Sequence, residues 1–409
     1  MYKKMKKLII IGSGISGLSS AYYLKKKFKI IILEKNNYIG GHTHTHYFKK
    51  ENVNYDSGFI VFNNKNYPNF INLINKLGVK YQKSSMSFSV RHDRKGYEWA
   101  GKNLKTIFSI KNIFTIRYFK ILRDIILFSK LCENYNYKKK ISLKSFIKKN
   151  KLSNEFADLY LYPMCSSIWS SNIKNIKNAD TSFVLNFFKN HGLNNIITKR
   201  PTWFTIKNGS HSYIKKIIQS RNIKIKLNSQ AIEVDQIKKK VKTINGNILK
   251  YDHLIFANHS SEAIKILKKP SKDQIKLIRS VKYQKNNVII HSDEKLMPNE
   301  KGNWCSWNYL YHNNKIVLTY WMNLLQNLKC KTNIFVTLNN TKIRKEKLIK
   351  KITYSHPLFT KSLEEVNILL EKAQGINNIW FAGAWLGYGF HEDGVKSAIK
   401  IRDMINVEN

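Results

Sequence analysis

A strand pattern, a helix pattern and a second strand pattern open the chain and predict an α/β fold. Residues 7–11 and 29–33 are largely apolar runs of the length of a buried strand. Between them, Leu18, Ala21 and Leu24 recur at the spacing of one helix face. Strand, helix and strand in immediate succession predict a βαβ unit whose two strands lie parallel.

The connection between the first strand and the helix is rich in glycine. Residues 12–17 read Gly-Ser-Gly-Ile-Ser-Gly. Gly12 permits a tight turn, Gly14 lets a pyrophosphate approach the backbone, and Gly17 lets the helix pack closely on the sheet. Glu34 ends the second strand, 22 positions after Gly12, where a carboxylate can accept hydrogen bonds from ribose hydroxyls. The unit therefore predicts a Rossmann-type dinucleotide site, and it fits NAD and FAD equally.

Two further segments distinguish FAD from NAD as the cofactor. Residues 40–43 and 56–59 follow the second strand with glycines at 40, 41 and 58. Near the C-terminus, the strand-like residues 379–383 end in glycine, and residues 393–395 open a last helix. A nucleotide motif at one end and a strand–glycine–helix at the other resemble the flavin amine oxidase and phytoene desaturase superfamily. In that group the N-terminus of the last helix points at the flavin, where its dipole stabilises negative charge.

The resemblance extends over nearly the whole chain. It is closest to the NAD/FAD-binding amine-oxidase-like proteins associated with cyclopropane-fatty-acid synthases. The strings that carry it are residues 38–43, 56–63, 87–90, 162–164, 306–309, 319–323 and 385–394. The resemblance implies FAD contacts at Gly12, Ser13, Gly14, Gly17, Glu34, Lys35, Gly41, His42, Gly58, Ala231, Gly383, Asp393, Gly394 and Val395.

Two details refine this implied FAD site. His42 stands where the superfamily has an arginine that reaches the pyrophosphate, and a neutral imidazole makes a weaker phosphate contact. No cysteine lies near residues 385–394 to tether the flavin, so we expect FAD to be bound non-covalently.

The superfamily organisation implies a discontinuous FAD-binding domain joined to an α+β substrate domain. Residues 1–62, 203–262 and 375–409 would form the FAD-binding domain. In the second of these segments, residues 223–227 and 251–257 read as strands, and residues 251–257 would enter the cofactor region. Residues 63–202, expected to be mainly helical, and residues 263–374 would form the substrate domain. The second of these segments has strand patterns at residues 288–292, 315–323 and 334–338.

The strongest candidates for catalytic side chains precede the last helix. A bound flavin accepts hydride itself, so the protein must position the substrate and handle a proton. Tyr388 or His391 could move that proton. The alternative is that the aromatic residues pack against the flavin and that His391 is a hydrogen-bonded structural residue.

The strong positive charge does not by itself indicate nucleic acid. The formal net charge is +46, but the lysines are scattered and no nucleic-acid-binding motif accompanies them. We therefore expect a solvated basic surface and no nucleic-acid partner. Four widely spaced cysteines and the lack of a spanning apolar run predict a cytoplasmic protein, with peripheral attachment to the inner face of a membrane as the alternative.

Two other patterns have competing interpretations. Residues 113–131 form a basic amphipathic stretch, for which a core helix is favoured over a helix lying on anionic lipid. His42, His44 and His46 occupy alternate positions, so in a strand they would project to the same side, as metal ligands can. No matching ligand cluster accompanies them in the sequence, and no metal site is predicted.

The leading functional hypothesis is an FAD-dependent oxidase, dehydrogenase or desaturase acting on a small apolar or lipid substrate, such as the acyl chain of a phospholipid. One alternative is a flavin amine oxidase. The other is a non-redox FAD protein, either an isomerase or the partner subunit of a cyclopropane-synthase-like methyltransferase.

Overall fold

A parallel sheet built from distant parts of the sequence forms the centre of the fold. The computed structural model describes residues 5–101, 116–135, 141–169, 171–190, 201–312, 315–338, 342–358 and 362–407. With strands numbered in chain order, five described strands pair in parallel: β1 (Lys6–Ile11), β2 (Phe28–Leu33), β10 (Ile223–Lys226), β14 (His253–Phe256) and β21 (Ile379–Phe381). Their order across the sheet is β10-β2-β1-β14-β21. The predicted strands are confirmed to within about two residues at each end. The sheet takes strands from all three segments assigned to the FAD-binding domain, and the domain boundaries themselves stay a prediction.

Both faces of this sheet are buried, which explains why its strands are apolar throughout rather than alternating. Leu8 and Ile10 of β1 pack into one core, which also contains residues of helix α1 (Ile15–Leu24). Ile9 and Ile11 point the other way, into a second core. Successive strand residues face opposite sides, so a continuous apolar run is what a doubly covered parallel sheet requires.

A second large sheet lies in the predicted substrate domain. Seven described strands form it in the order β20-β16-β19-β18-β17-β7-β8. In chain order they are β7 (Phe88–His92), β8 (Tyr97–Ala100), β16 (Lys282–His291), β17 (Trp307–His312), β18 (Lys315–Trp321), β19 (Phe335–Leu338) and β20 (Leu348–Leu358). Three of these strands were expected from the sequence. The segment 63–202, expected to be mainly helical, also contributes β7 and β8 to this sheet, because β7 pairs in parallel with β17 and β8 pairs with β7.

Smaller sheets complete the described strands. One four-stranded sheet has the order β13-β12-β11-β15, a hairpin joins β3 and β4, and a three-stranded sheet has the order β5-β9-β6. Their bounds are β3 (Thr45–Phe48), β4 (Val53–Asp56), β5 (Phe62–Asn63), β6 (Tyr81–Lys83), β9 (Trp203–Ile206), β11 (Ala231–Asp235), β12 (Lys240–Thr243), β13 (Ile248–Lys250) and β15 (Leu267–Lys268).

The helices occupy the remaining layers. After α1 they are α2 (Pro68–Lys76), α3 (Ile116–Asn134), α4 (Leu143–Lys149), α5 (Asn154–Phe156), α6 (Tyr162–Trp169), α7 (Ile173–Lys177), α8 (Thr181–Asn190), α9 (His211–Ile218), α10 (Ser260–Ile266), α11 (Lys272–Ile278), α12 (Met322–Leu325), α13 (Leu363–Ala373) and α14 (His391–Val407). A turn of π-helix, Ala157–Leu161, joins α5 to α6.

Helix α3 covers most of the basic amphipathic stretch noted in the sequence. Its Ile121, Ile125 and Phe128 are buried in a helical core, as the core interpretation predicts. Phe119 and Ile126 lie on the outer side, 61% and 55% exposed. Residues 113–115 of the stretch lie outside the described residues. Contact with anionic lipid stays a prediction, and none of the described helices is long and apolar enough to cross a membrane.

A buried carboxylate connects three distant parts of the chain by hydrogen bonds. Asp56, at the end of β4, is fully buried. It accepts hydrogen bonds from the backbone N and the hydroxyl of Ser210, from the hydroxyl of Thr45 and from the side-chain amide of Gln326. The backbone N of Asp56 in turn donates to Gln326. Burial raises the pKa of Asp56, and these donated hydrogen bonds oppose that rise.

Candidate active site

A cavity of about 1140 Å³ lies between the two large sheets. On one side it is lined by the residues that directly follow β1, β2 and β14, which are Gly12, Glu34 and Ala257. On the other side it is lined by residues of the seven-stranded sheet, among them Tyr320 and His356. In open α/β sheets, ligands bind at the carboxyl ends of the strands, and this cavity occupies that position.

The glycine loop and the start of α1 form one end of the cavity. Gly12 has a φ of +106°, and a Cβ there would lie 2.8 Å from the carbonyl oxygen of Ala257. A Cβ on Gly17 would lie 2.0 Å from the carbonyl oxygen of Gly12. Gly14 differs, because it has extended backbone angles and a Cβ there would meet nothing within 4 Å. Gly12 and Gly17 are thus required by packing, whereas Gly14 leaves open space in front of the helix N-terminus.

Glu34 anchors the same loop. Its Oε2 atom accepts hydrogen bonds from the backbone N and the hydroxyl of Ser13, at 3.0 and 2.6 Å. Its Oε1 atom accepts from the backbone N and the side-chain amide of Asn36, both at 2.9 Å. A ribose hydroxyl donating to Glu34 would therefore share a carboxylate that already organises the loop.

Ten of the fourteen residues predicted to contact FAD line the cavity. They are Gly12, Ser13, Gly14, Glu34, Lys35, Gly41, His42, Gly58, Ala231 and Gly383. The other four, Gly17, Asp393, Gly394 and Val395, lie behind its lining. Val395 is fully buried in the core that contains α1, and Gly394 lies where a Cβ would come within 2.8 Å of the Ser16 hydroxyl. Gly394 therefore allows α14 to approach the start of α1.

Asp393 organises the turn that leads into α14. Its Oδ2 atom accepts hydrogen bonds from the backbone N atoms of Tyr388 and Phe390, at 3.0 and 2.9 Å. Burial raises the pKa of Asp393 to about 6, although these hydrogen bonds oppose the rise. Asp393 thus shapes the cavity wall from behind.

His391 is packed and hydrogen-bonded. Its ring stacks on Phe59 with ring centroids 3.5 Å apart, and its Nε2 atom lies 3.0 Å from the Thr43 hydroxyl and 3.1 Å from the Tyr213 hydroxyl. Burial lowers the pKa of His391 to about 3, which makes it a weak base at neutral pH. This geometry favours the structural alternative for His391, although both candidate catalytic side chains line the cavity and their roles stay predictions.

Tyr388 belongs to an aromatic wall of the cavity. Its ring lies 5.2 Å from Phe183 and 5.7 Å from Phe187. Phe187 also stacks near Phe390 at 5.5 Å, and Trp169 lies 4.8 Å from Phe187. This wall and the facing sheet define what we call the apolar arm of the cavity, whose lining includes Met86, Met164, Trp169, Phe187, Trp307 and Tyr320.

Several lining residues were not identified from the sequence. His259, Tyr283, Tyr354 and His356 all line the cavity close to His42. Tyr283, Tyr354 and His356 come from β16 and β20, and no local motif marks them. Of these four residues, His259 could have been found from the sequence, because it lies two positions after the strand predicted at residues 251–257.

The alternating histidines after the glycine pair do not form a ligand cluster. The ring of His44 stacks on Tyr38 and lies 4.1 Å from that of His46. The ring of His42 instead faces Tyr354 and His356. Within the described part of the chain, no group of three or more histidine, cysteine, aspartate or glutamate side chains is arranged to hold a metal ion.

Comparison with known proteins identifies the family. The model of a family described as flavin-containing amine oxidoreductase matches residues 15–323. The chain belongs to this family. It is an FAD-dependent oxidoreductase of the flavin-containing amine oxidoreductase family.

Individual relatives of this FAD-dependent oxidoreductase act in different chemistries. One segment is 58% identical over 41 residues to the 1-hydroxycarotenoid 3,4-desaturase of Flavobacterium sp. (strain P99-3), covering 10% of this chain and only 8% of that protein. The crystal structure of a CLA-producing fatty acid isomerase from P. acnes has a TM-score of 0.70 at 14% identity, with 100% of this chain and 99% of that chain covered. Cyclohexylamine oxidase from Brevibacterium oxydans has a TM-score of 0.69 at 13% identity, with 98% and 100% covered. At such low identities the solved structures show the shared fold alone.

The residues of the oxidoreductase fit FAD at the end of the cavity formed by the glycine loop. Gly14 leaves room for a diphosphate, and the N-terminus of α1 has no side-chain cap to compete for its N–H groups. Glu34 and Ala231 line the cavity where the ribose and adenine would lie. None of the four cysteines is among the described lining residues, so no thiol there could tether a flavin.

Asp393 makes a testable contribution to the pH dependence of stability. Its pKa is about 6 in the folded oxidoreductase and about 3.8 in the unfolded chain, so the folded state binds the proton more tightly. This contribution is present below about pH 4 and is lost as the pH rises to about 6. We expect Asp393→Asn, which keeps an oxygen acceptor but cannot ionise, to gain about 2 kcal/mol relative to the native protein between pH 4 and 7. Urea unfolding of both FAD-free proteins at the two pH values measures this difference, and a constant difference would contradict it.

Proposed function

We propose that this FAD-dependent oxidoreductase removes hydride from an apolar substrate, specifically the fatty acyl chain of a lipid. The observation that carries the proposal is the apolar arm. It is lined by two methionines and by aromatic side chains from α6, α8, β17 and β18, and it continues the same cavity that the glycine loop opens. A surface of this kind binds an acyl chain by excluding water from it.

The distribution of charge argues against a cationic amine. Glu34 and Glu262 are the carboxylates among the described lining residues. Glu34 holds the glycine loop, and Glu262 pairs with Lys35, so both lie at the nucleotide end. An amine in the apolar arm would be desolvated without a neighbouring carboxylate, which costs several kcal/mol unless it loses its proton.

The named relatives support an apolar substrate without deciding it. The desaturase that matches one segment is named for a carotenoid, and one protein of the same fold is named as a fatty acid isomerase. Cyclohexylamine oxidase has the same fold and is named for an amine, so the fold accommodates both classes. The choice therefore rests on the side chains that line the arm.

Bound flavin supplies the hydride-accepting centre, and the protein's own residues position the substrate, exclude water and handle a proton. The apolar arm orients the acyl chain and excludes water from it. The Asp393-supported turn holds Tyr388 and Phe390 in the cavity wall. Tyr388, whose ring lies 5.7 Å from that of Phe187, is the candidate for moving the proton.

Anaerobic reduction of the FAD-loaded protein tests the proposal. Acyl phospholipids with saturated, cis-unsaturated or cyclopropane-containing chains are added, and the loss of visible flavin absorption is followed. We expect bleaching by at least one acyl lipid and none by simple amines. Bleaching by amines alone would contradict the proposal, and double-bond migration without bleaching would favour an isomerase.

A variant pair locates the response in the apolar arm. Met86→Glu places a carboxylate in the arm and should weaken the acyl response at least about tenfold, because the charge must be desolvated when the chain enters. Met86→Leu conserves volume and apolar character and serves as the matched control. Equal responses of the two variants would show that the acyl chain binds in another part of the cavity.

A further inference from the structure

Three histidines form a wall beside the nucleotide end of the cavity. The ring of His42 lies 5.1 Å from that of His356 and 6.4 Å from that of His259. All three line the cavity. We call His42, His259 and His356 the histidine wall.

The backbone places this wall close to where a diphosphate would bind. A Cβ on Gly41 would lie 3.4 Å from the Cα of Gly14, so the two glycines are in contact. His42 follows Gly41 directly, and its carbonyl oxygen accepts a hydrogen bond from the backbone N of Phe59 at 2.8 Å. The side chain of His42 therefore leaves a fixed backbone one residue from the open space in front of α1.

The hydrogen bonds of the wall leave acceptor and donor capacity unused. The Nε2 atom of His42 is buried without a hydrogen-bond partner. Nδ1 of His356 lies 2.7 Å from the side-chain amide of Asn286, and the ring of His259 stacks on Tyr283. An unpartnered buried imidazole nitrogen costs stability unless a ligand satisfies it.

The charges around the wall come from several elements. His44 and His391 also act electrostatically on His42, the ring of Tyr354 lies 5.0 Å from that of His42, and the ring of Tyr283 stacks on His259. The Lys35–Glu262 pair acts on His259 with opposite signs. Burial lowers the pKa of His42 well below its ordinary value and that of His356 to about 4. Without an anion, His42 and His356 are therefore neutral at pH 7.

We propose that FAD binding is coupled to the uptake of a proton by the histidine wall, which receives the diphosphate as a singly protonated cluster. The proton comes from solvent and adds to one imidazole nitrogen, and no other bond changes. Anionic oxygens next to the wall favour the imidazolium form, whereas mutual repulsion among the three rings disfavours a second proton. The wall thereby replaces the permanently charged arginine that the family resemblance implies at position 42.

The sign of the coupling follows from linkage. Because the FAD-bound state binds more protons than the free state, affinity for FAD increases as the pH falls. Between the pKa of the free cluster and its higher pKa in the complex, uptake of one proton makes the Kd rise about tenfold for each pH unit. The inference concerns cofactor binding and is independent of the substrate.

The test is the Kd for FAD between about pH 5.5 and 8.5, measured by flavin fluorescence. We expect log Kd to rise with a slope approaching one over at least one pH unit. Riboflavin, which lacks the diphosphate, should bind with little pH dependence. Titration calorimetry in two buffers of different ionisation enthalpy measures the proton directly and needs no variant. A flat FAD profile, the same slope for riboflavin, or no proton uptake would overturn the proposal.

Two substitutions assign the proton to the wall. His42→Arg supplies a permanent charge, so it should bind FAD at least about tenfold more tightly at pH 8 and flatten the profile. His312→Gln is the matched control, because His312 pairs with Asp93 outside the cavity and its loss should leave the slope unchanged. A slope that persists in His42→Arg, or one that disappears in His312→Gln, would contradict the assignment.

Discussion

Gly14→Asp is expected to fold normally and to lose FAD. Gly14 has φ −67° and ψ −179° at the N-cap of α1, a conformation open to any residue, and its Cβ direction points into open space. Aspartate is also a favourable N-cap, so the stability of the FAD-free protein should change by less than about 1 kcal/mol. The new carboxylate would occupy the diphosphate position, and like charges 4 Å apart repel by about 4 kcal/mol at an effective dielectric constant of 20. We expect the Kd for FAD to rise at least about 100-fold.

The flavin content of the purified variant, an FAD titration and thermal unfolding together check this result. Gly14→Ser is the uncharged control and should retain more FAD than Gly14→Asp. Gly17→Ala provides the opposite case, because its Cβ would lie 2.0 Å from the Gly12 carbonyl oxygen and must disrupt the turn itself. Tight FAD binding by Gly14→Asp would show that the diphosphate does not lie in front of α1.

Asp56→Ala is expected to lower the free energy of unfolding by about 3–5 kcal/mol. The substitution leaves buried donors of Ser210, Thr45 and Gln326 without their acceptor. Each unsatisfied buried donor costs about 1–3 kcal/mol, although relaxation recovers part of that sum. Urea unfolding of the FAD-free protein measures the loss.

Asp56→Asn controls for the loss of charge. It keeps one oxygen acceptor for Ser210 but directs an NH₂ group at another donor of the network, so we expect an intermediate loss of about half that of alanine. An alanine variant as stable as the native protein would mean that the hydrogen-bonded network contributes nothing net. The two variants should bind FAD weakly only where they also unfold, because Asp56 lies behind the cavity rather than in it.

The local parts of the nucleotide site could be predicted from the sequence. The roles of Gly12, Gly17 and Glu34 follow from spacing within one βαβ unit, and strand, turn and helix are determined by neighbours in sequence. The apolar runs that form β14 and β21 could be recognised for a similar reason, since both faces of a parallel strand are buried. The family resemblance added the place of the last helix.

The rest of the site depends on contacts between distant residues. His42 lies close to His356 because β20, the edge strand that carries His356, pairs with β16 in the seven-stranded sheet. Phe88 of β7 pairs with Trp307 of β17, more than two hundred positions later, and no local pattern specifies that pairing. The family resemblance implies a flavin contact at Asp393, whereas its carboxylate accepts hydrogen bonds from the backbone of Tyr388 and Phe390. Tertiary context decided these cases.

The order of strands in the central sheet has a consequence during synthesis. The strands β1 and β2 emerge from the ribosome first, but the neighbouring β14 and β21 follow only after residues 253 and 379 are made. At about 5–20 residues per second, this leaves an isoleucine-rich edge of the nascent sheet unpaired for tens of seconds. Exposed apolar edges of this kind are templates for aggregation. The yield of folded protein on expression should therefore depend on chaperone supply and on a lower growth temperature more than on substitutions at the surface of the folded protein.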